Sequence, residues 1–250
     1  MPGLGTVINV VAIVIGGTAG SLLGARFPRR LQETLTVACG VAVLFIGMAG
    51  ALAGMLSVTS ATGSADGAAG ALTSGRTILV VISLVLGALV GELAGLHGLI
   101  TRFGDWLRRR TGNSGDAGFT DAFVTASVTV CVGAMAVVGA IADGLTGDHS
   151  VLLVKAVLDL VIILAMSASM GRGCAFAAIP VGLFQGFFTA TAVLIKPLMT
   201  PSAQGNLSLV GSILIFCVGL NLLRPGTVRV ANLLPALLIA PALAFTPWGL

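Results

Sequence analysis

The sequence predicts an all-α fold, a polytopic membrane helix bundle of about eight transmembrane helices. Composition is the first observation behind this. Of 250 residues, 56% are hydrophobic and 9% charged, whereas a soluble domain carries roughly 25% charged residues. Thirteen Lys and Arg with nine Asp and Glu are too few to coat a water-facing surface. Mean hydropathy is +1.08, and the apolar residues form runs close to the ~20 residues that a bilayer-spanning helix needs. The third observation is that the basic residues collect in alternate loops, as membrane topology requires. Eight spans use about 160 residues, so residues 1–250 are a single integral membrane domain with no room for a soluble one.

The first span is 6–25; it lacks the basic start and small-residue cleavage site of a leader, so it is expected to be retained as a helix. A turn with Arg26, Arg29 and Arg30 leads to the second span, 35–56. Residues 57–76, SVTSATGSADGAAGALTSGR, have the composition of a flexible linker without a site. The third span, 77–96, carries Gly87, Gly91 and Gly95 every four residues, a packing ridge that serves either one chain or a homodimer. In 97–110, Leu99, Ile100, Phe103, Trp106 and Leu107 fall on one helical face and Arg102, Asp105 and Arg108 to Arg110 on the other. That pattern fits an interfacial helix on the inner leaflet, with a solvated basic loop as the alternative. The remaining spans are 120–142, 151–170, 174–196, 207–223 and 228–246. With the N-terminus outside, ten basic residues lie inside, whereas Arg76, Lys155 and Lys196 lie on or near the outer side. Both termini are then outside, in the cytoplasmic membrane. The pI near 9.3 reports topology rather than nucleic-acid binding, because the cations flank hydrophobic segments instead of forming one solvated patch.

Self-similarity adds a second layer of organisation. TVACGVAVLFIG at 36–47 resembles SVTVCVGAMAVVG at 127–139, and LSLVGSILIFCVGL at 207–220 has a similar small-residue rhythm. GGTAGSLLGARFP at 16–28 resembles QGFFTATAVLIKP at 185–197. Helices 1–3 therefore resemble helices 6–8, and the topology makes the two units inverted repeats. Such repeats place a binding site near the midplane, where the halves meet.

A charge at mid-bilayer costs about 2.5 to 3.5 kcal/mol on insertion scales, so it needs a partner, a water-filled cavity or a function. Asp159 is the outlier, roughly 12 Å into the fifth span at 1.5 Å per residue. Lys155, one turn above, either pairs with it, although base before acid is the weaker order on a helix, or snorkels outward. Asp143, Asp148 and His149 belong to DGLTGDHS, which reads equally as a capped turn or as an outer mouth. Gln185 sits near mid-membrane beside Gly186, with Pro180 marking a kink. Asn9, Glu92, Asn221 and Asn232 are weaker candidates near helix ends.

Enzyme chemistry is not legible. His97 and His149 lie at separate helix ends, HExxH and GxSxG are absent, and GLTGD only approximates the GxGD of intramembrane aspartyl proteases. Cys39, Cys131, Cys174 and Cys217 read as small apolar residues. No cofactor or metal cluster is implied.

CVGAMAVVGAIADGLTGDHSVLLVKAVLD at 131–159, followed by SMGRG, AAIPV and QG, resembles the bacterial YqgA-like membrane proteins, the family filed as domain of unknown function 554. The likeness extends more weakly over nearly the whole chain, including Ile8 to Gly24. The resemblance implies a sodium channel or pump whose matched polar positions are Asn9, Asp143, Asp148, His149, Lys155, Asp159 and Gln185. The chain departs at Leu160, a bulkier residue after Asp159, and in the long loop at 57–76. The expected function is transport of, or coupling to, a small cation, Na⁺ or H⁺. Asp159 and Gln185 would form the site, Asp143, Asp148 and His149 its outer mouth, Lys155 a counter-charge, and Asn9 and Glu92 lesser parts of the path. A membrane scaffold and a transporter of a small organic solute are the alternatives. Lipid and the cation or solute are the expected partners.

Overall fold

The computed structural model describes residues 2–59, 71–74, 76–113, 115–131 and 134–245. Five helices, among them Leu4–Gly24 (α1), Arg29–Met55 (α2), Ser150–Met170 (α7) and Pro201–Leu223 (α10), are long and apolar enough to cross a bilayer. The fifth, Arg172–Ala190, opens as a 3-10 turn, Arg172–Ala177, and continues as Ala178–Ala190 (α8). Two bent pairs raise the number of spans to seven if each pair crosses once. Thr77–Leu93 (α3) turns by 56° into Leu96–Arg110 (α4), and Phe119–Cys131 (α5) turns by 61° into Ala134–Thr146 (α6). Short helices Ala192–Ile195 (α9), Val230–Leu233 (α11) and Ala236–Leu243 (α12) complete the bundle. The protein is a polytopic helical membrane protein: Val7, Val11, Ile15, Val81, Val85, Val157 and Val161 are exposed, as suits helices surrounded by hydrocarbon.

Glycine decides which helices touch. One stripe of α1 carries Gly5, Asn9, Gly16, Gly20 and Gly24, all buried, and it lies along α7. A Cβ on Gly16 would stand 2.6 Å from the Leu160 carbonyl oxygen, and one on Gly20 or Gly24 would collide with the carbonyls of Leu164 and Ala168. The two helices run parallel, and Ser167 Oγ donates to Gly17 O at 2.7 Å to tie them. Without a hydrophobic drive between helices in lipid, such close backbone approach is the main source of adhesion.

The three helices of the first repeat each pack antiparallel on the predicted equivalent. Gly47 of α2 stands against the Phe216 backbone of α10, and Gly219 of α10 stands against the Leu44 backbone of α2, a reciprocal arrangement. Gly87 and Gly91 of α3 meet Ala236 and Asn232. Thr6 and Val10 of α1 meet Thr189 and Gly182 of α8. These are contacts of the kind that an in-plane pseudo-two-fold makes. They also assign the α3 ridge to packing within the chain, and Gly95 is not part of it: with φ +62° it forms the turn into α4.

Three elements differ from expectation. The predicted span 120–142 is not continuous but divides into α5 and α6, with Val132 and Gly133 outside the described residues. Hydropathy sums side chains and cannot register a backbone break. Pro180 lies in the first turn of α8, directly after the 3-10 turn Arg172–Ala177, a helix position where proline is tolerated. The loop at 57–76 is not a linker throughout: Leu56–Thr59 (β1) pairs antiparallel with Ala71–Ser74 (β2). Residues 60–70, the rest of the predicted linker, lie outside the described residues. The amphipathic helix is present as α4; its Leu107 packs on Phe119 and Phe123 while Leu99 and Trp106 stay exposed.

Candidate functional site

Asp159 is buried in the middle of α7, with 4% of its surface exposed, and Lys155 beside it has 7%. The pairing alternative holds rather than the snorkelling one: Lys155 Nζ lies 2.5 Å from Asp159 Oδ2. The same ammonium donates to Val130 O at 2.8 Å. Val130 is the next-to-last residue of α5, close to the 61° bend between α5 and α6. Lys155 thus places its charge beside a carbonyl at the C-terminal end of α5, the negative end of a helix dipole. Asn9 Nδ2 donates to Asp159 Oδ2 at 3.0 Å, so α1, α5 and α7 converge on one carboxylate.

The α1 stripe explains Asn9, which is the polar member of a row of glycines that brings α1 against α7. Asn9 is fully buried, and Oδ1 of its amide has no hydrogen-bond partner. Gln185 is 1% exposed on the buried face of α8, with Ala178 and Val181, and neither amide atom is partnered. The contacts of Thr6 with Thr189 and of Val10 with Gly182 bracket Asn9 and Gln185, placing both at one level of the bundle.

Asp143 lies elsewhere than expected. It is fully buried rather than at an open mouth, and its Oδ2 accepts the Gly5 N–H at 3.0 Å, which satisfies a free donor at the start of α1. Asp148 is the exposed residue of the turn, where Oδ1 accepts Ser150 N–H at 3.0 Å. These hydrogen bonds hold its carboxyl below the usual carboxylate range. His149 occupies the N-cap position of α7 without a capping side-chain bond, and its Nδ1 is buried and unpartnered. Glu92 is separate from the cluster, with its ion pair to Arg229 at 2.9 Å and a hydrogen bond from Asn232. Asn232 also takes the His97 N–H at 2.7 Å, and Asn221 clasps both backbone groups of Val228, so both asparagines hold turns.

Sequence reasoning missed the Val130 carbonyl, a backbone group without a side-chain signature. It also missed Ser127, one turn earlier on α5, whose buried hydroxyl is unpartnered. Among the described residues lie three cavities, none of them lined by Asp159, Lys155, Asn9 or Gln185. A groove of about 610 Å³ between α1 and α8 is lined by Val14, Thr18, Ser21, Arg172 and Ile179 among others. It shares Ser21, Asn113 and Arg172 with a polar groove of about 340 Å³. An apolar cavity of about 800 Å³ is lined by Phe103, Phe123, Phe184, Phe188 and Pro235, and reaches Ser127 and Cys131.

The sequence profile described as "Protein of unknown function (DUF554)" matches residues 4–245. The chain belongs to this family. It is 31% identical over 251 residues, 98% of each chain, to the uncharacterized protein YqgA of Escherichia coli (strain K12). It is 27% identical over 241 residues to the uncharacterized membrane protein YdfK of Bacillus subtilis (strain 168), covering 96% of this chain and 95% of that one. No solved structure matches the chain. In this DUF554 member the long matched segment 131–159 spans the end of α5, the whole of α6 and the half of α7 that carries the ion pair.

Proposed function

We propose that this protein moves, or couples its work to, a small cation, Na⁺ or H⁺, across the cytoplasmic membrane, and that it is not an enzyme. The observation that carries the reading is the Asp159–Lys155 pair, buried at mid-helix and joined to the carbonyl end of the broken helix α5. Discontinuous helices whose carbonyl ends face the midplane are a recurring way to hold coupling ions in transporters with inverted repeats. A carboxylate, an amide oxygen and a backbone carbonyl suit a small hard cation. Access from the arginine-bearing side, taken as the inside, runs through the groove between α1 and α8. Its Val14 lies five residues, or about 7.5 Å, beyond Asn9 along α1.

The test is ²²Na⁺ uptake by proteoliposomes, with and without an imposed pH gradient, for wild type and Asp159→Asn. Loss of uptake in a folded mutant supports the reading, and dependence on the pH gradient makes it exchange. A mutant that changes assembly while leaving flux intact favours the scaffold. A second reading, transport of an apolar organic solute, is favoured by the 800 Å³ cavity. It becomes the leading one if folded wild type takes up no sodium.

A further inference from the structure

The ion-pair geometry has a feature that cation transport alone does not require: the cation position is already filled. Lys155 Nζ contacts a carboxylate oxygen, Asp159 Oδ2, and a helix-terminal carbonyl, Val130 O, at 2.5 and 2.8 Å. Both are oxygens of the type that a hard metal ion takes. Beside them Asn9 holds Nδ2 on the same carboxylate oxygen and leaves Oδ1 buried with no donor. A buried acceptor without a donor is a costly arrangement, and one that a cation at this position would relieve. Gln185 adds a second buried, unpartnered amide at the same level.

We infer that the Lys155 ammonium is a tethered occupant of the cation site and that the transported cation and this ammonium exclude one another. The inference rests on the transport reading and adds its mechanism. Like-charge repulsion is the reason for exclusion. Among the groups on the elements that meet here, α7 supplies Lys155 and Asp159, α1 the neutral Asn9, and α5 Val130 O and the Cys131 thiol. The Asp143 carboxyl of α6 accepts the neutral Gly5 N–H one turn of α1 before Asn9, and its Oδ1 is buried without a partner. Of these two carboxylates only Asp159 touches the ammonium, so a metal ion on the same oxygens would stand against Lys155 as a like charge, repelled far more strongly at a buried site than in water. The lysine is suited to leaving, because its charge is carried on a flexible four-carbon stem that can retract toward the nearby end of α7.

The experiment measures equilibrium ²²Na⁺ binding by the full-length purified protein, alongside uptake after reconstitution. Lys155→Met vacates the position, and its sodium affinity should exceed that of wild type by tenfold or more. The double change Lys155→Met with Asp159→Asn should bind none. Removing the lysine strands a buried carboxylate, so if Lys155→Met fails to fold, Asn9→Asp decides instead: with Lys155 intact it supplies a second negative charge and should raise sodium affinity similarly. A folded Lys155→Met with wild-type affinity, or an unchanged Asn9→Asp where that variant decides, overturns the inference. The two readings fail separately. Wild-type flux that Asp159→Asn abolishes, with no gain of affinity in Lys155→Met, removes the displacement and keeps transport. Tighter binding by Lys155→Met without wild-type flux removes transport and keeps the occupancy.

Discussion

Asp159 is the residue whose surroundings decide most, and single-residue changes around it have distinct outcomes. Its pair with Lys155 is buried, so removing one partner leaves an uncompensated charge that costs about 3 to 5 kcal/mol. Asp159→Asn keeps the shape and an acceptor, which makes it the better probe of flux. Asp143 holds the start of α1: Asp143→Ala frees the Gly5 N–H and should cost about 1 kcal/mol, as loss of a helix cap does. Asp143→Asn should restore most of that in thermal unfolding in detergent. Asp148 is governed by pH in a definite direction. Its folded carboxyl titrates below the usual range because Ser150 donates to the charged form. The stabilisation is therefore present above the ordinary carboxylate value of about 3.9 and is lost as pH falls through the lower folded value. Unfolding of Asp148→Asn should differ from wild type at neutral pH, and the difference should vanish at strongly acid pH. Asp159 was visible in the sequence because a carboxylate inside an apolar run has few explanations. Asn9 was visible only as a weaker candidate and a family position, because near a helix end an asparagine satisfies itself in water or head groups; only the approach of α1 to α7 removes that option.

Whole helices are positioned by what they lack. A side chain at Gly20 would enter the Leu164 carbonyl of α7, whereas one at Gly186 meets nothing within 4 Å. Gly20→Leu should therefore destabilise by about 1 to 3 kcal/mol, the usual cost of overpacking. Gly186→Ala should be neutral or stabilising, since alanine is the better helix former by about 0.5 to 1 kcal/mol. Thermal unfolding of the two variants compares them directly, and equal losses would show that the α1–α7 contact is not close-packed. The glycines of α3 were legible as a ridge from their spacing, but those of α1 entered the sequence reading only as a repeat and as a family pattern. Spacing shows that a helix has a small-residue face without saying which partner it meets. The bend between α5 and α6 was illegible for a different reason: both halves are apolar, and the Lys155 ammonium that meets the Val130 carbonyl comes from 25 residues away.

At the scale of the molecule, orientation is the open prediction. The charge bias places the α6–α7 turn outside and the α4–α5 turn inside. Thr146 and Thr111 are exposed in those two turns. In whole cells Thr146→Cys should react with a membrane-impermeant maleimide and Thr111→Cys should not. The reverse result would turn the molecule over and, with it, the side from which the groove between α1 and α8 is entered. The three antiparallel pairings, α1 with α8, α2 with α10, and α3 with α11 and α12, extend the repeat from a pattern of letters to a packing arrangement. Alternating access would then proceed by one half rocking against the other around the Asp159 level.

The sequence by itself determined that this chain is a helical membrane protein, where its apolar segments lie, and that Asp159 and Lys155 are out of place in hydrocarbon. Those are properties of composition and local periodicity, which the bilayer reads one segment at a time. Only the tertiary structure decided that α5 bends into α6, that the Val130 carbonyl meets Lys155, that Asn9 joins the carboxylate, and that Asp143 closes the start of α1. Each of these is a contact between segments distant in the chain, set by how closely glycine-bearing helices approach, and no local property of either segment encodes the distance between them.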